Sequence, residues 1–235
     1  RRQDLPPAAF WSADELRAIY GGLCAKFSRQ EATKRFCKLF VALSYRWLSP
    51  GHPDPNRFHL ATVSQAARMY IVNDSKHHGI KALVFAPLGK KKDADFALFW
   101  DFASIYQKER NEEQKRLFNL GLEASNLWYG HQHTVMWMQT MLPKGVDISK
   151  HCPTYESSGW CFTEASLSSV LKPGNQRLDL GQRDGSATTY TKLMSKCVAG
   201  RVPPVLPEVA AHSLRQEKVF TARSDVETVV KLYEK

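Results

Sequence analysis

The sequence predicts an α/β fold in which a parallel β-sheet is flanked by helices. Three continuous apolar runs, at residues 39–45, 96–102 and 134–138, have the composition of strands that are buried on both faces. Segments with apolar residues at helical spacing alternate with these runs, which is typical of a flavodoxin-like sheet with helices on both sides. We expect an N-terminal helical extension, the α/β domain, and a C-terminal wrap that ends in a helix, at residues 1–38, 39–181 and 182–235.

The composition predicts a folded protein and restricts the class of ligand. Of the 235 residues, 43% are hydrophobic, which is enough apolar material for a sizeable core. The formal net charge of +10 suits an anionic ligand. However, the dense basic run at residues 90–92 is followed by Asp93 and Asp95, so it has the pattern of a solvated loop and not of a phosphate track. A nucleotide fits this charge, and we do not expect nucleic acid as a partner.

Cysteine spacing and hydropathy argue against several other classes. The five cysteines lie far apart, without a CxxC pair and without paired histidines, so we expect neither a metal site nor a disulfide framework. His131 and His133 share one segment, but no third ligand stands at a suitable spacing. No apolar run approaches the roughly 20 residues that cross a bilayer. The sequence therefore predicts a cytoplasmic protein without a membrane segment.

The N-terminal extension is predicted to be helical. Ser12 and Glu15 stand three residues apart, as in a capping box, before a segment with one apolar face. Residues 29–38 have the pattern of a second short helix. Phe36 and Cys37 are also compatible with the start of the following strand.

The first predicted strand, at residues 39–45, is followed directly by a loop rich in proline and glycine. In open α/β sheets, ligands bind outside the carboxyl ends of the strands. This loop therefore marks a candidate site. Residues 62–73 then carry apolar side chains at helical spacing and predict the first crossover helix.

The middle of the chain predicts further strands and one helix. Residues 80–86 have the composition of a strand, and residues 96–102 match a strand more closely. Asp101 falls at the end of this second run, again at a carboxyl edge. A helix is expected at residues 117–130, and the apolar run at residues 134–138 predicts the next strand.

The segment at residues 155–171 combines aromatic residues, a thiol and one isolated carboxylate, Glu164. Apolar spacing after Glu164 predicts a helix with the carboxylate in its first or second turn. There it is either an acid that helps to cap the helix or a functional group. Residues 177–180 predict a short strand. After this strand we expect an irregular wrap until a short helix at residues 225–233.

Polar side chains stand at the predicted strand ends, and a parallel sheet brings such ends to one edge. Ser44 and Arg46 stand at the end of the first strand, and Asp101 stands at the end of the middle one. A carboxylate such as Glu164 in this cleft can hold the hydroxyls of a ribose, while the indole of Trp160 packs on a ring. Ser44 and Asp101 are equally well explained as caps of neighbouring helices.

Three blocks of the sequence resemble known families. ALSYRW at 42–47, FWDFASIYQKER at 99–110 and SSGWCFTEAS at 157–166 occur in the order of three blocks of fungal heterokaryon-incompatibility (HET) domains. The last block is also similar to the S-x-W-C-x-x-E-L signature of Toll/interleukin-1 receptor (TIR) domains, which are related in fold to HET domains. The resemblance covers roughly residues 39–171. It departs from the TIR signature at Ala165, where leucine is usual.

This resemblance implies roles for individual residues. Glu164 corresponds to the glutamate that is catalytic in those TIR domains that hydrolyse NAD. Trp160 corresponds to the tryptophan that precedes it, and Ser44 and Arg46 correspond to the serine and the basic residue that end the first TIR strand. Asp101 matches the aspartate of the HET block.

The activity that the resemblance implies is cleavage of the nicotinamide–ribose bond of NAD(P)+, in a defence or cell-death role. Glu164 would bind the ribose hydroxyls and offset the positive charge of an oxocarbenium-like transition state. Trp47 or Trp160 would pack on a ring, and Arg46 would contact the pyrophosphate. NAD is then a substrate, and no cofactor is expected. The alternative is a non-catalytic TIR- or HET-like domain that assembles with itself or with other proteins.

Overall fold

The structure is a computed structural model, and it describes residues 1–77, 95–144 and 154–234. Within these residues four strands form one parallel sheet: β1, Phe40–Tyr45; β2, Ala97–Phe99; β3, Val135–Gln139; and β4, Arg177–Asp179. Their order across the sheet is β2-β1-β3-β4, so the chain adds a strand on one side of β1 and then continues on the other. This is a flavodoxin-like order, which confirms the predicted fold class.

Helices flank the sheet and extend from it at both ends of the chain. In order, they are α1, Ala13–Cys24; α2, Arg29–Cys37; α3, Phe58–His77; α4, Asp101–Ser104; α5, Glu112–Glu123; α6, Ser125–Gly130; α7, Gly159–Leu171; α8, Tyr190–Cys197; α9, Pro207–Gln216; and α10, Asp225–Glu234. No helix in the described residues is long and apolar enough to cross a membrane.

Successive residues of the central strand β1 face two different helical layers. Val41 and Leu43 pack in a cluster that contains Val63 of α3 and Tyr190 of α8. Ala42 points to the opposite face, where its cluster contains Tyr129 of α6 and side chains of α7. Because both faces are covered, β1 needs apolar residues in succession and not in alternation, which is the pattern from which the strand was predicted.

The N-terminal helices form as the sequence predicts. The Ser12 hydroxyl accepts a hydrogen bond from the Glu15 amide at 3.1 Å, and the Glu15 carboxylate accepts one from the Ser12 amide at 2.8 Å. This reciprocal capping box satisfies two amides that the first turn of α1 leaves without partners. Helix α2 extends to Cys37, so Phe36 and Cys37 belong to this helix and not to β1.

Three predicted boundaries in the middle of the chain were wrong, for local reasons. The strand predicted at residues 96–102 is shorter, because α4 begins at Asp101. Helix α3 begins before residue 62, since the Asp54 carboxylate accepts hydrogen bonds from two amides of its first turn. The helix predicted at residues 117–130 is interrupted at Ala124. The strand predicted at residues 80–86 lies outside the described residues.

The C-terminal segment is more regular than the sequence predicted. Helices α8 and α9 lie in the stretch that we expected to be an irregular wrap. Tyr190 and Leu193 of α8 complete the core on the α3 face of the sheet. Leu214 of α9 and Val230 of α10 pack instead against Trp160 and other aromatic side chains of the neighbouring elements. The predicted final helix is confirmed as α10.

A buried lysine closes the turn between α6 and β3. The Lys172 amine donates to the carbonyl oxygens of His131 at 2.7 Å and Thr134 at 2.9 Å. These carbonyls follow the C-terminus of α6, where a cation complements the helix dipole. Burial lowers the pKa of Lys172 to about 7. The contact holds the end of α6, the helix that carries Tyr129, against the end of α7.

Candidate functional site

Glu164 lies in the second turn of α7, against the carboxyl end of β1. The helix starts where the Ser158 hydroxyl accepts a hydrogen bond from the Cys161 amide, which is an N-cap. The Glu164 side chain is partly buried, and its carboxyl group lies near the hydroxyls of Ser44 and Tyr129. The carboxyl group therefore does not cap α7, because the cap is formed by a different residue and Glu164 points toward the sheet edge.

Buried hydroxyl groups surround the Glu164 carboxyl group. The Ser44 hydroxyl is 2.5 Å from the hydroxyl of Tyr155, and the Tyr129 hydroxyl donates to the Leu43 carbonyl at 3.1 Å. Ser44, Tyr129 and Tyr155 are all buried. These contacts join α6, α7, the chain before α7 and the end of β1 into one polar cluster within an otherwise apolar layer.

The environment of Glu164 favours its neutral form. Burial is the largest cause and raises the pKa of Glu164 to about 8, and the nearby negative charge of Asp101 acts in the same direction. The polar hydroxyls of Ser44 and Tyr129 lower this pKa but do not offset the burial. Glu164 is therefore mostly protonated at pH 7. A carboxyl group with a pKa near neutrality, held at a sheet edge, is typical of a functional site.

Asp101 binds two aromatic side chains that follow β1. One carboxylate oxygen accepts from the Tyr45 hydroxyl at 2.7 Å and from the Phe102 amide at 2.6 Å, and the other accepts from the Trp47 indole at 2.9 Å. Burial raises the pKa of Asp101, although these three donors act against the rise. Both oxygens thus have internal partners, so Asp101 orders the residues around the site and adds negative charge beside Glu164.

Arg46 directly follows β1, and its charged side chain is buried. Its side chain is 4% exposed. Its Nε and Nη1 atoms have no hydrogen-bond partner within the part of the chain that the structure describes. Burying a guanidinium group without an acceptor costs free energy. Arg46 is therefore a site where an anion would be bound favourably.

Two further buried residues near Arg46 were not predicted from the sequence. The imidazole Nε2 of His59 lies 3.0 Å from the Arg46 carbonyl oxygen, so Nε2 carries the proton and Nδ1 is an acceptor. The Gln139 amide nitrogen donates to the Thr62 hydroxyl at 3.4 Å. Among the described residues, His59 Nδ1 and Gln139 Oε1 have no hydrogen-bond partner. Burial lowers the pKa of His59, which favours the neutral form of the ring.

The structure brings together most of the predicted site residues, with one exception. Ser44 and Glu164 are in contact, Trp47 is bound by Asp101, and Arg46 follows directly in the chain from the same strand. The Trp160 indole instead donates to Asp225 at 3.1 Å and packs against the C-terminal helices. Trp160 thus joins α7 to α10, and we do not include it among the ligand contacts.

Sequence reasoning missed the residues whose role depends on distant contacts. Tyr155 and Ser44 are 111 residues apart in the chain, and Tyr129 and Leu43 are 86 apart. In the sequence, Tyr129 and Tyr155 have only the pattern of buried aromatic residues. Gln139 directly follows the strand predicted at residues 134–138, and this position at a carboxyl edge was the one signal that pointed to it.

Comparison with known proteins gives no assignment, since no family model, curated protein or solved structure matches the chain. Within residues 1–77, 95–144 and 154–234, no group of three histidine, cysteine or acidic side chains is arranged to hold a metal ion. Any proposal for the function therefore depends on the geometry of the sheet edge.

Proposed function

We propose that this chain is a TIR- or HET-like NAD(P)+ glycohydrolase that cleaves the nicotinamide–ribose bond in a defence or cell-death role. The observation that carries the proposal is the partly buried Glu164 carboxyl group, held among hydroxyls at the end of β1 with a pKa of about 8. The resemblance of residues 39–171 to those families supplies the reaction type.

The position of Glu164 supports a ligand site. In the order β2-β1-β3-β4, the chain adds β2 on one side of β1 and then β3 on the other side. The point between β1 and β3 is therefore the topological switch point, and parallel sheets bind ligands in the crevice outside it. Ser44, one residue before the end of β1, is paired with Met138 on β3. Glu164 is in contact with Ser44, so the carboxyl group lies beside this crevice.

The reaction needs the ionised carboxylate. The bond between C1′ of the ribose and the nicotinamide nitrogen breaks, and the electron pair leaves with nicotinamide as a neutral molecule. Water then bonds to C1′ and loses a proton, which gives ADP-ribose. Because the leaving group needs no proton, Glu164 acts through its negative charge, by accepting from the ribose hydroxyls and stabilising the positive charge at C1′. The cationic nicotinamide ring in turn favours ionised Glu164.

The neighbouring residues have defined parts in this proposal. Ser44 orients the Glu164 carboxylate by a hydrogen bond, and Tyr155 fixes the Ser44 hydroxyl. Asp101 holds Trp47 at the edge of the crevice, where the indole can pack on a ring of the substrate. Nε and Nη1 of Arg46, which have no hydrogen-bond partner among the described residues, provide donors and a positive charge for a phosphate group.

The test is release of nicotinamide from NAD+ by the purified chain at high protein concentration, since related domains act when they are clustered. We expect Glu164→Gln to lower the rate by about 100-fold or more. Glu156→Gln, on an exposed carboxylate just before α7, is the matched control and should retain the wild-type rate. Absence of release, or equal release by the Glu164→Gln variant, would exclude the proposed reaction.

The alternative function, a non-catalytic interaction domain, is supported by one surface. Helix α5 buries none of its residues, and its Leu117 and Leu120 side chains are exposed. Exposed apolar side chains on one helix can form a self-association surface. A chain that releases no nicotinamide, and whose concentration-dependent association is lost in a Leu117→Lys, Leu120→Lys variant, would favour this alternative.

A further inference from the structure

The chain between α8 and α9 contains an exposed proline-rich segment that the candidate site does not use. Residues 201–207 read RVPPVLP. They lie outside helices and strands until Pro207, the first residue of α9. Arg201, Pro204 and Pro207 stand at intervals of three, in the pattern R-x-x-P-x-x-P. This interval matches the polyproline II helix, which has about three residues per turn.

The sequence of the segment favours an extended backbone. A proline ring fixes φ near about −65°, and a residue that precedes proline is disfavoured in the helical region. Val202, Pro203 and Leu206 each precede a proline. Leu206 has a φ of −61° and a ψ of 145°, which are close to the angles of polyproline II. The segment is therefore held in the conformation in which proline-rich ligands are bound.

One side of the segment is attached to the rest of the protein. The Val202 amide donates to the Ser169 hydroxyl at 2.7 Å, and this hydroxyl donates to the Val202 carbonyl at 2.9 Å. Three residues later, the carbonyl of half-buried Val205 accepts from the Tyr233 hydroxyl at 3.1 Å. Residues three apart share one side of a polyproline II helix. The side that contains Val202 and Val205 therefore faces α7 and α10.

The other two sides of the segment face solvent. Leu206 is 68% exposed, and Pro203, Pro204 and Pro207 are exposed as well. Pro203 with Pro204, and Leu206 with Pro207, form two pairs in which an apolar residue precedes proline. Segments of the PxxP type dock into grooves that are lined by aromatic side chains. The residues that such a groove contacts are thus the ones that the fold leaves uncovered.

Arg201 adds a positive charge at one end of the segment. The residue is exposed, and its Nη1 and Nη2 atoms donate to the carbonyl oxygens of Ser169 at 3.3 Å and Lys172 at 3.1 Å. These contacts fix the guanidinium group at the C-terminal end of α7. A guanidinium group has further N–H donors, so a carboxylate of a partner can bind Arg201 from the solvent side. The charge at one end also gives the segment a direction.

We propose that residues 201–207 are a docking segment for a protein domain of the SH3 type, whose groove is lined by aromatic side chains and flanked by a carboxylate. The two pairs of an apolar residue and proline fill the groove, and Arg201 binds the carboxylate. Because the fold already holds the segment extended, binding orders less of the chain than it does for a free peptide.

This surface is separate from the candidate functional site. Just before the segment, the Ala199 amide donates to the Arg177 carbonyl at 3.0 Å. Arg177 is the first residue of β4, so the segment begins near the amino edge of the parallel sheet. Glu164 lies instead against the carboxyl end of β1. The docking proposal therefore does not depend on the reaction proposed for Glu164.

The experiment uses the full chain, a synthetic peptide of residues 199–209, and a panel of isolated SH3 domains that bind R-x-x-P-x-x-P peptides. Isothermal titration calorimetry measures the affinity of each pair. We expect at least one domain to bind the peptide, and the full chain to bind that domain at least as tightly, because the segment is preorganised. Pro204→Ala and Arg201→Gln in the full chain should each weaken binding by about fivefold or more.

Pro6 provides a matched control. It is exposed and has an extended backbone, with a φ of −66° and a ψ of 152°. It also stands beside a second proline, Pro7, but no proline follows either of them at an interval of three. Pro6→Ala should therefore bind the SH3 domain as tightly as the wild type does. Circular dichroism melting of each variant checks that a loss of affinity is not a loss of fold.

Several results would overturn the docking segment. One is a panel in which no SH3 domain binds the peptide, and another is a domain that binds the peptide but not the full chain. Equal affinities of the wild type and Pro204→Ala, or equal losses in Pro204→Ala and Pro6→Ala, would also contradict it. If no domain binds and Leu206→Lys abolishes self-association of the full chain, the segment is a contact between copies and the proposal is wrong.

Discussion

At the scale of single residues, the site depends on what burial does to ionisable groups. Glu164 and Asp101 are both carboxyl groups near the end of β1, and burial raises the pKa of each. Asp101 has three internal donors, whereas Glu164 has two hydroxyl neighbours and a pKa of about 8. The two acids therefore differ: Asp101 is fixed by internal donors, and Glu164 is the carboxyl group that we propose contacts the ligand.

The pKa of Glu164 predicts how stability depends on pH. Below about pH 4.5 its carboxyl group is protonated in both the folded and the unfolded chain, so this contribution to stability is fully present. As the pH rises toward 8, the unfolded chain ionises first, and the folded chain loses stability relative to it. Denaturant unfolding should show that, between pH 5 and pH 8, the free energy of unfolding of the wild type falls by about 2 kcal/mol relative to that of Glu164→Gln. This value takes into account that solvent screens a partly exposed group. A constant difference would contradict the raised pKa.

At the scale of elements, the strands of the sheet were predictable from the sequence, but the positions where individual strands and helices begin and end were not. The apolar runs gave β1, β3 and the parallel order because burial on both faces leaves a pattern that is local in sequence. The end of β2 and the start of α3 depend on carboxylates that bind backbone amides, at Asp101 and Asp54. Both contacts are local in sequence, but neither carboxylate belongs to the apolar pattern, so apolar spacing alone does not reveal them.

Close packing at the carboxyl edge of the sheet leaves no room for a side chain at Gly181. A methyl group added at Gly181, after β4, would lie 2.6 Å from the Met141 backbone nitrogen and would overlap the Thr140 hydroxyl. We expect Gly181→Ala to destabilise the fold by roughly 1–3 kcal/mol, measured by urea unfolding. Gly21→Ala in α1 is the control, because no atom of the described residues lies within 4 Å of its added methyl. It should be neutral or stabilising by up to about 1 kcal/mol, and equal effects would contradict this packing.

At the scale of the whole molecule, the C-terminal helices support the helix that carries Glu164. Trp160 of α7 donates to Asp225 of α10, and its ring packs beside Leu214 of α9. The resemblance assigned Trp160 to the ligand site, since sequence similarity gives no direction to a side chain. The region that the sequence marked as a wrap thus contributes to the position of α7.

Because α9 supports α7, we expect substitutions at buried and exposed positions of α9 to change the free energy of unfolding by different amounts. Leu214 is fully buried, and Leu214→Ala should cost about 2–4 kcal/mol of unfolding free energy. Val209 lies on the same helix with 53% of its surface exposed, so Val209→Ala should change stability by no more than about 0.5 kcal/mol. Denaturant unfolding of both variants is the measurement. Similar values would show that α9 does not pack on α7 as described.

The central claim is that ionised Glu164 cleaves the nicotinamide–ribose bond, and the pH dependence of nicotinamide release tests it most directly. With NAD+ well below saturation, kcat/KM of the wild type should rise about tenfold per pH unit below an apparent pKa near 8 and become constant above it. The Glu164→Gln variant should show neither the rate nor the rise. A wild-type profile that is flat or falls between pH 6 and pH 9, or a variant with the same profile, would contradict the claim.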